Sequence, residues 1–195
     1  MKKLFALFLA LMMIVCLAAC GEANQPSDDG NTPSENVTAY SNSLEILSAI
    51  WDAMPEDSRF PCYGGNQTEN SKMDAPDEFQ LTDVDGLNYV LIIPESVHGY
   101  LDNAASLNHL MNANIFTGAV VHVTDAEAGD VGTEIKDSIL NYHFICGFPE
   151  KLVMLTLDNY ILYAFGNEGL VNNFRDTATS ALTGEVEVLC DQWIE

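Results

Sequence analysis

The sequence predicts an α+β domain, and three observations in its second half predict it. From residue 116 onward, apolar segments alternate between a period of two and a period of three to four, in the order strand, helix, strand, strand, helix, strand. Asp158-Asn159 joins two of the strand segments through residue types that tolerate a tight hairpin turn. The final segment, Glu185-Val186-Glu187-Val188, alternates as a strand with one wet face does. That order matches the split βαβ, ferredoxin-like arrangement from about residue 116, a sheet with helices packed on one face, preceded by a further strand and helix. The arrangement hosts unrelated activities, so it assigns none.

The elements follow from local chemistry. Asn42 with Glu45 three residues on reads as a capping box, and Leu44, Leu47, Trp51 and Met54 recur at helical spacing until Pro55. Residues 56–86 show no sustained period and contain the turn-rich FPCYGG and the acidic DAPDEFQLTDVDG, so they read as a long irregular excursion. Tyr89 to Ile93, closed by Pro94, reads as a strand buried on both faces. Val97, Leu101, Ala104, Leu107 and Met111 are spaced as one helical face, although Gly99 weakens its start. FTGAVVHVT at 116–124 reads as a strand. Asp130 is placed to cap a helix whose inner face is Val131, Ile135, Ile139 and Tyr142. Leu152 to Leu157 and Tyr160 to Phe165 form the hairpin, Gly166 ends it, and Leu170, Phe174, Ala178 and Ala181 mark the last helix.

The first 40 residues have a different character. Lys2 and Lys3 precede an apolar run from Leu4 to Ala19, the charged start and short apolar core of an export signal. Sixteen residues fall short of the roughly 20 needed to cross hydrocarbon. The run ends Leu17-Ala18-Ala19-Cys20-Gly21, which resembles the lipobox of bacterial lipoproteins. The resemblance implies cleavage before Cys20 and a diacylglycerol on its sulfur, two acyl chains being what stable anchoring takes. An ordinary cleavage after Ala19 is the alternative. The expected organisation is a signal peptide at 1–19, a lipidated cysteine and disordered tether at 20–40, and one α+β domain at 41–195. It would sit lipid-anchored at the extracytoplasmic face of a cell membrane. A flexible tether of that length spans on the order of 25 Å.

Composition narrows the partners. The chain has 29 acidic and 7 basic residues, a net charge of −22. Without Lys2 and Lys3 the basic residues are Arg59, Lys72, Lys136, Lys151 and Arg175. Such a field repels nucleic acid and anionic lipid, and favours solubility or a cationic partner. Cys62, Cys146 and Cys190 allow three alternative disulfide pairs, each leaving one odd thiol, or buried free thiols, since Cys146 and Cys190 sit in apolar surroundings.

Three patterns are candidates for chemistry. In NYHFICGFPEK at 141–151, His143, Cys146 and Glu150 lie close in sequence, and His122 is a second candidate base, so a thiol nucleophile is one reading. Gly147 and Pro149 fit a turn better than a nucleophile motif. Asp74, Asp77, Glu78, Asp83 and Asp85 suit a binding site, calcium being the ion such oxygens favour, although the register fails the EF-hand pattern. His98 and His109 would lie about three helical turns apart, too far to share zinc. Phe60, Tyr63, Phe79, Tyr89 and Tyr100 are recognition anchors if exposed and core if not. No motif implies a cofactor. SLNHLMNAN at 106–114 and ICGFPEKLV at 145–153 resemble stretches of small tethered lipoproteins of bacteria, mainly Gram-positive, whose α+β domains carry no assigned activity. The expectation is a non-enzymatic, surface-tethered ligand- or partner-binding domain. Its alternatives are a thiol-dependent enzyme using Cys146 with a histidine, and a structural component of an envelope complex.

Overall fold

The computed structural model describes residues 39–69, 71–111 and 115–195. The expected signal peptide, Cys20 and nearly all of the expected tether lie outside the described residues. Four helices and eight strands follow in order: α1 (Ser43–Ala53), β1 (Cys62–Gly64), β2 (Lys72–Met73), β3 (Asp77–Glu78), α2 (Val84–Tyr89), β4 (Leu101–His109), β5 (Phe116–Val123), α3 (Ala128–Leu140), β6 (Lys151–Leu157), β7 (Tyr160–Gly166), α4 (Glu168–Ala181) and β8 (Val186–Trp193). The strands form one antiparallel open sheet in the order β2-β1-β4-β5-β7-β6-β8, with β3 beside β1 on the outer edge of β4.

The expected element order from residue 116 is present, but the sheet is wired differently. β8 lies on the far side of β6, and β4 takes the place beside β5. The connections β5-α3-β6 and β7-α4-β8 therefore step the same way across the sheet from strands of opposite direction. Right-handed crossovers then place their helices on opposite faces. The side chains agree: Val120, Val153, Leu155 and Leu162 pack with α1 and α4, whereas Ala119, Val121, Met154 and Ile161 pack with α3 and α2. Helices on one face, as the sequence suggested, is corrected to helices on both.

Two segments differ from their sequence reading. Residues 97–111 are not a helix: a 3-10 turn at Glu95–Tyr100 leads into β4, where Ala104 and Leu107, three apart, are buried on opposite faces of the sheet. Seven residue pairs with β5 and further pairs with β1 and β3 decide the matter, a tertiary override of weak propensity. Residues 89–93 are not a strand. Asp83 caps α2 by accepting the Gly86 N–H at 2.9 Å, and the chain leaves that helix through Ile92 at φ 56°. Leu91 and Ile93 donate back to the carbonyls of Gly86 and Leu87, closing the helix end. Smaller differences concern caps. Glu127 rather than Asp130 precedes α3, and Tyr40, expected in the tether, packs on the domain and accepts the Thr183 N–H at 3.0 Å. The Asn42 cap and the 158–159 hairpin stand as expected, with Asp158 at φ 50°.

Two ties carry testable energetics. Lys151, buried on β6, reaches Asp191 of β8 at 2.7 Å and Asn172 of α4 at 2.6 Å, and Arg175 holds the second oxygen of Asp191. Burial alone would raise the Asp191 carboxyl, but hydrogen bonds from Lys151 and Arg175 outweigh it and hold it below its ordinary range. A depressed carboxylate stabilises the fold above the unfolded value, about pH 4, and loses that contribution as pH falls through the folded value. Asp191→Asn is expected to cost roughly 1–3 kcal/mol at neutral pH. In urea titrations the gap between the two chains should close as pH drops below about 4. A gap that persists at pH 2 refutes the assignment. At Ile92 a β-branched residue sits in left-handed backbone, costing about 1–2 kcal/mol, while burial of its side chain returns about 1.5–3 kcal/mol. Ile92→Gly is therefore expected to be less damaging than Ile92→Ala, by about 1 kcal/mol, reversing the usual order for a buried aliphatic position. Denaturation midpoints of the two variants decide it.

Candidate functional site

Strand register assembles the site. Tyr63 of β1 lies opposite Asn108 of β4, Asn108 opposite Thr117 of β5, and Thr117 opposite Phe165 of β7. Directly paired residues share a face, so these four side chains form one transverse row at the end of the sheet, on the face that carries α3. The row is the floor of a cavity of about 350 Å³. One wall is the segment that leaves α2, with Tyr89, Val90 and Ile92. Its position is set by Tyr163, fully buried in β7, whose hydroxyl donates to the Leu91 carbonyl at 2.9 Å. The opposite wall is the loop after α3, Tyr142 to Gly147. Tyr142 and Phe144 meet edge to face at 4.9 Å between centroids, and Phe144 leans on Phe165 at 6.1 Å. Around the mouth, Tyr89, Met111 and Ile145 are 67%, 56% and 82% exposed.

The lining contains no Asp, Glu, Lys or Arg among the described residues. Its histidines are His109 and His143. Burial pushes His109 below its ordinary value and keeps it neutral, its ring stacks on Phe60 at 4.9 Å, and its Nδ1 accepts the Met111 N–H at 2.9 Å. Burial also raises the Tyr63 phenol, which stays protonated. The polar floor is organised from behind. Ser106 Oγ donates to the Gly65 carbonyl at 3.0 Å, and Asn108 Nδ2 approaches Ser106 Oγ at 3.4 Å.

The predicted candidates distribute unevenly. His143 and Cys146 both line this cavity, and both are exposed. Cys146 thus departs from the expectation of an apolar core thiol; Cys62 and Cys190 are the buried ones, and all three are free. Burial, with Asp74 adding to it, pushes the Cys62 thiol up to about 12. Glu150 is structural: its Oε2 accepts the Glu168 N–H at 2.8 Å and so caps α4. His122 is not part of the site. It lies on the other sheet face, five residues or roughly 17 Å along β5 from Thr117, paired to Asp102 at 2.7 Å and resting against Tyr160. It does not serve Cys146 as a base.

Of the acidic stretch, Asp77, Glu78 and Asp83 line a second cavity, of about 560 Å³, beside Gly64 and Gly65. Asp83 is occupied as the cap of α2 and accepts from Asn66 Nδ2 at 2.8 Å. Asp74 and Asp85 are exposed and do not line it. Among the described residues, no three His, Cys, Asp or Glu side chains are grouped so as to hold a metal ion. Phe60 and Phe79 are core, whereas Tyr89 and Tyr100 are exposed. Sequence reasoning missed Asn108 and Thr117. Reading SLNH at period two would have put Ser106 and Asn108 on one face of a strand.

Comparison with protein-family models, curated proteins and solved structures finds no match.

Proposed function

We propose that this chain is a non-enzymatic ligand-binding domain, held at the outer face of a cell membrane through Cys20, and that its ligand occupies the cavity over Tyr63, Asn108, Thr117 and Phe165. One observation carries the reading. SLNHLMNAN and ICGFPEKLV, far apart in sequence, supply Asn108, His109 and Met111 on one side and Ile145, Cys146 and Gly147 on the other side of a single aromatic cavity. A concave site of this size, with aromatic walls and polar groups converging on its floor, has the form of a small-ligand site. Exposed Tyr89, Met111 and Ile145 at its mouth add apolar surface that a bound molecule would cover.

Cys146 and His143 in the same lining favour a second reading, a thiol-dependent enzyme. The lining offers no Lys or Arg to stabilise a thiolate, and Glu150, the third residue of that sequence cluster, is committed to capping α4. Binding is the better supported of the two.

Because Cys146 is exposed at the rim, its adduct with N-benzylmaleimide should fill the cavity. Small uncharged aromatic fragments are expected to show saturation transfer from the purified chain. The adduct should abolish that transfer, and Cys146→Ser should leave it intact. Transfer that survives the adduct places binding elsewhere and sinks the reading. A substrate whose turnover vanishes in Cys146→Ser establishes the enzyme instead. For the anchor, Cys20→Ala is expected to move the chain from the membrane fraction to the medium. Equal membrane retention of both chains would remove the lipid from the account.

A further inference from the structure

The floor of the cavity specifies one ligand chemistry, and the inference rests on the binding reading above. Asn108 and Thr117 are 4% and 8% exposed, yet neither Asn108 Oδ1 nor Thr117 Oγ1 bonds to any described residue. No fully buried polar side-chain atom is left without a partner among the described residues, so these two atoms open onto free space. The cavity is the space they line.

The contact with Ser106 decides which atom of the Asn108 amide is turned away from it. Ser106 Oγ spends its proton on the Gly65 carbonyl, so toward Asn108 it acts as acceptor and turns the amide nitrogen back along the strand. Oδ1 is left as the atom turned away from Ser106, an acceptor. Its direct cross-strand neighbour is Thr117, whose hydroxyl donates or accepts. An acceptor and a hydroxyl side by side match a group with an N–H or O–H donor beside an acceptor, a primary carboxamide above all.

Charge narrows the class further. A carboxylate would enter a lining without Lys or Arg, in a chain of net charge −22. Its desolvation would go uncompensated. An ammonium would meet no carboxylate there either. We infer that the cavity takes an uncharged amphiphile, with an aromatic or alkyl body between the Tyr89–Ile92 and Tyr142–Gly147 walls and a carboxamide or similar donor–acceptor group on Asn108 and Thr117.

A matched series tests this on the purified chain: phenylacetamide, phenylacetate, phenethylammonium and ethylbenzene, titrated by ligand-observed NMR with and without the Cys146 adduct. Phenylacetamide is expected to bind roughly fivefold or more tightly than each of the other three, as one or two net hydrogen bonds allow. Thr117→Val, nearly isosteric, should bring phenylacetamide down to the level of ethylbenzene without changing ethylbenzene's own affinity. Asn108→Leu should do the same and serves as the second variant. Equal affinity of phenylacetamide and ethylbenzene, or preference for phenethylammonium or phenylacetate, overturns the assignment of ligand class while adduct-sensitive binding stands. If none of the four binds, the cavity is no binding site and this inference falls with it.

Discussion

The constraint on which this molecule rests is that its central strands are apolar on both faces. Every residue of β7 is buried, and β6 is buried at all positions but Thr156. A sheet of that kind has no face to give to water, so both sides must be roofed. Helices α1 and α4 cover one face. On the other, α3 covers only part, and the remainder falls to α2 and the chain from it to β4, with Leu87, Leu91, Ile93 and Val97 packed down. This explains why a stretch without a regular period carries so many buried side chains, and why a left-handed isoleucine is tolerated there. The roof is completed imperfectly. Where the segment leaving α2 and the loop after α3 approach one another above the end of the sheet, the floor stays open, and the candidate site is that opening.

Legibility in the sequence followed the range of the deciding interaction. The Asn42 cap, the Asp158-Asn159 turn and the Val131, Ile135 and Ile139 face of α3 are set within a turn or two of chain, and each was readable; on α4, Phe174 and Ala178 are buried as expected, but with Val171 and Thr177 beside them and Ala181 exposed. β4 was not. Leu101, Ala104 and Leu107 satisfy a helical spacing, and Ala, Ser, Asn and His have little strand propensity of their own. The strand exists because β5 on one side and β1 with β3 on the other supply its hydrogen bonds. The site inherits that division. His143, Cys146, Tyr63 and Tyr89 stood out by type, whereas the row that sets Asn108, Thr117 and Phe165 beside Tyr63 is a product of register across four strands. Side chains that meet only through register leave no mark in any one segment.

The distribution of charge separates the outside of the molecule from its cavity. Acidic side chains cover loops and helix surfaces, while the cavity lining is free of formal charge. The basic residues are few and largely committed: Lys151 and Arg175 close on Asp191, and Arg59 lies over Trp51 and donates to the Met54 and Asp52 carbonyls. An anion approaching this chain meets a net negative charge of −22 and no Lys or Arg at the cavity. Selection against anions therefore begins before contact, in the long-range field.

Gly64 and Gly65 end β1 where β3 begins, along the same edge of β4. A Cβ on Gly64 would stand 2.2 Å from the Asp77 nitrogen, and one on Gly65, at φ 74°, would stand 2.8 Å from the Glu78 carbonyl oxygen. The acidic loop is thus pressed against bare backbone, with no side chain between to cushion a shift. The carbonyl of Gly65 is the same group that receives Ser106 and so orients Asn108. The two glycines make the acidic loop and the cavity floor one piece of structure. A shift of the backbone at Asp77 and Glu78 therefore reaches the carbonyl that sets the angle of the cavity-facing amide.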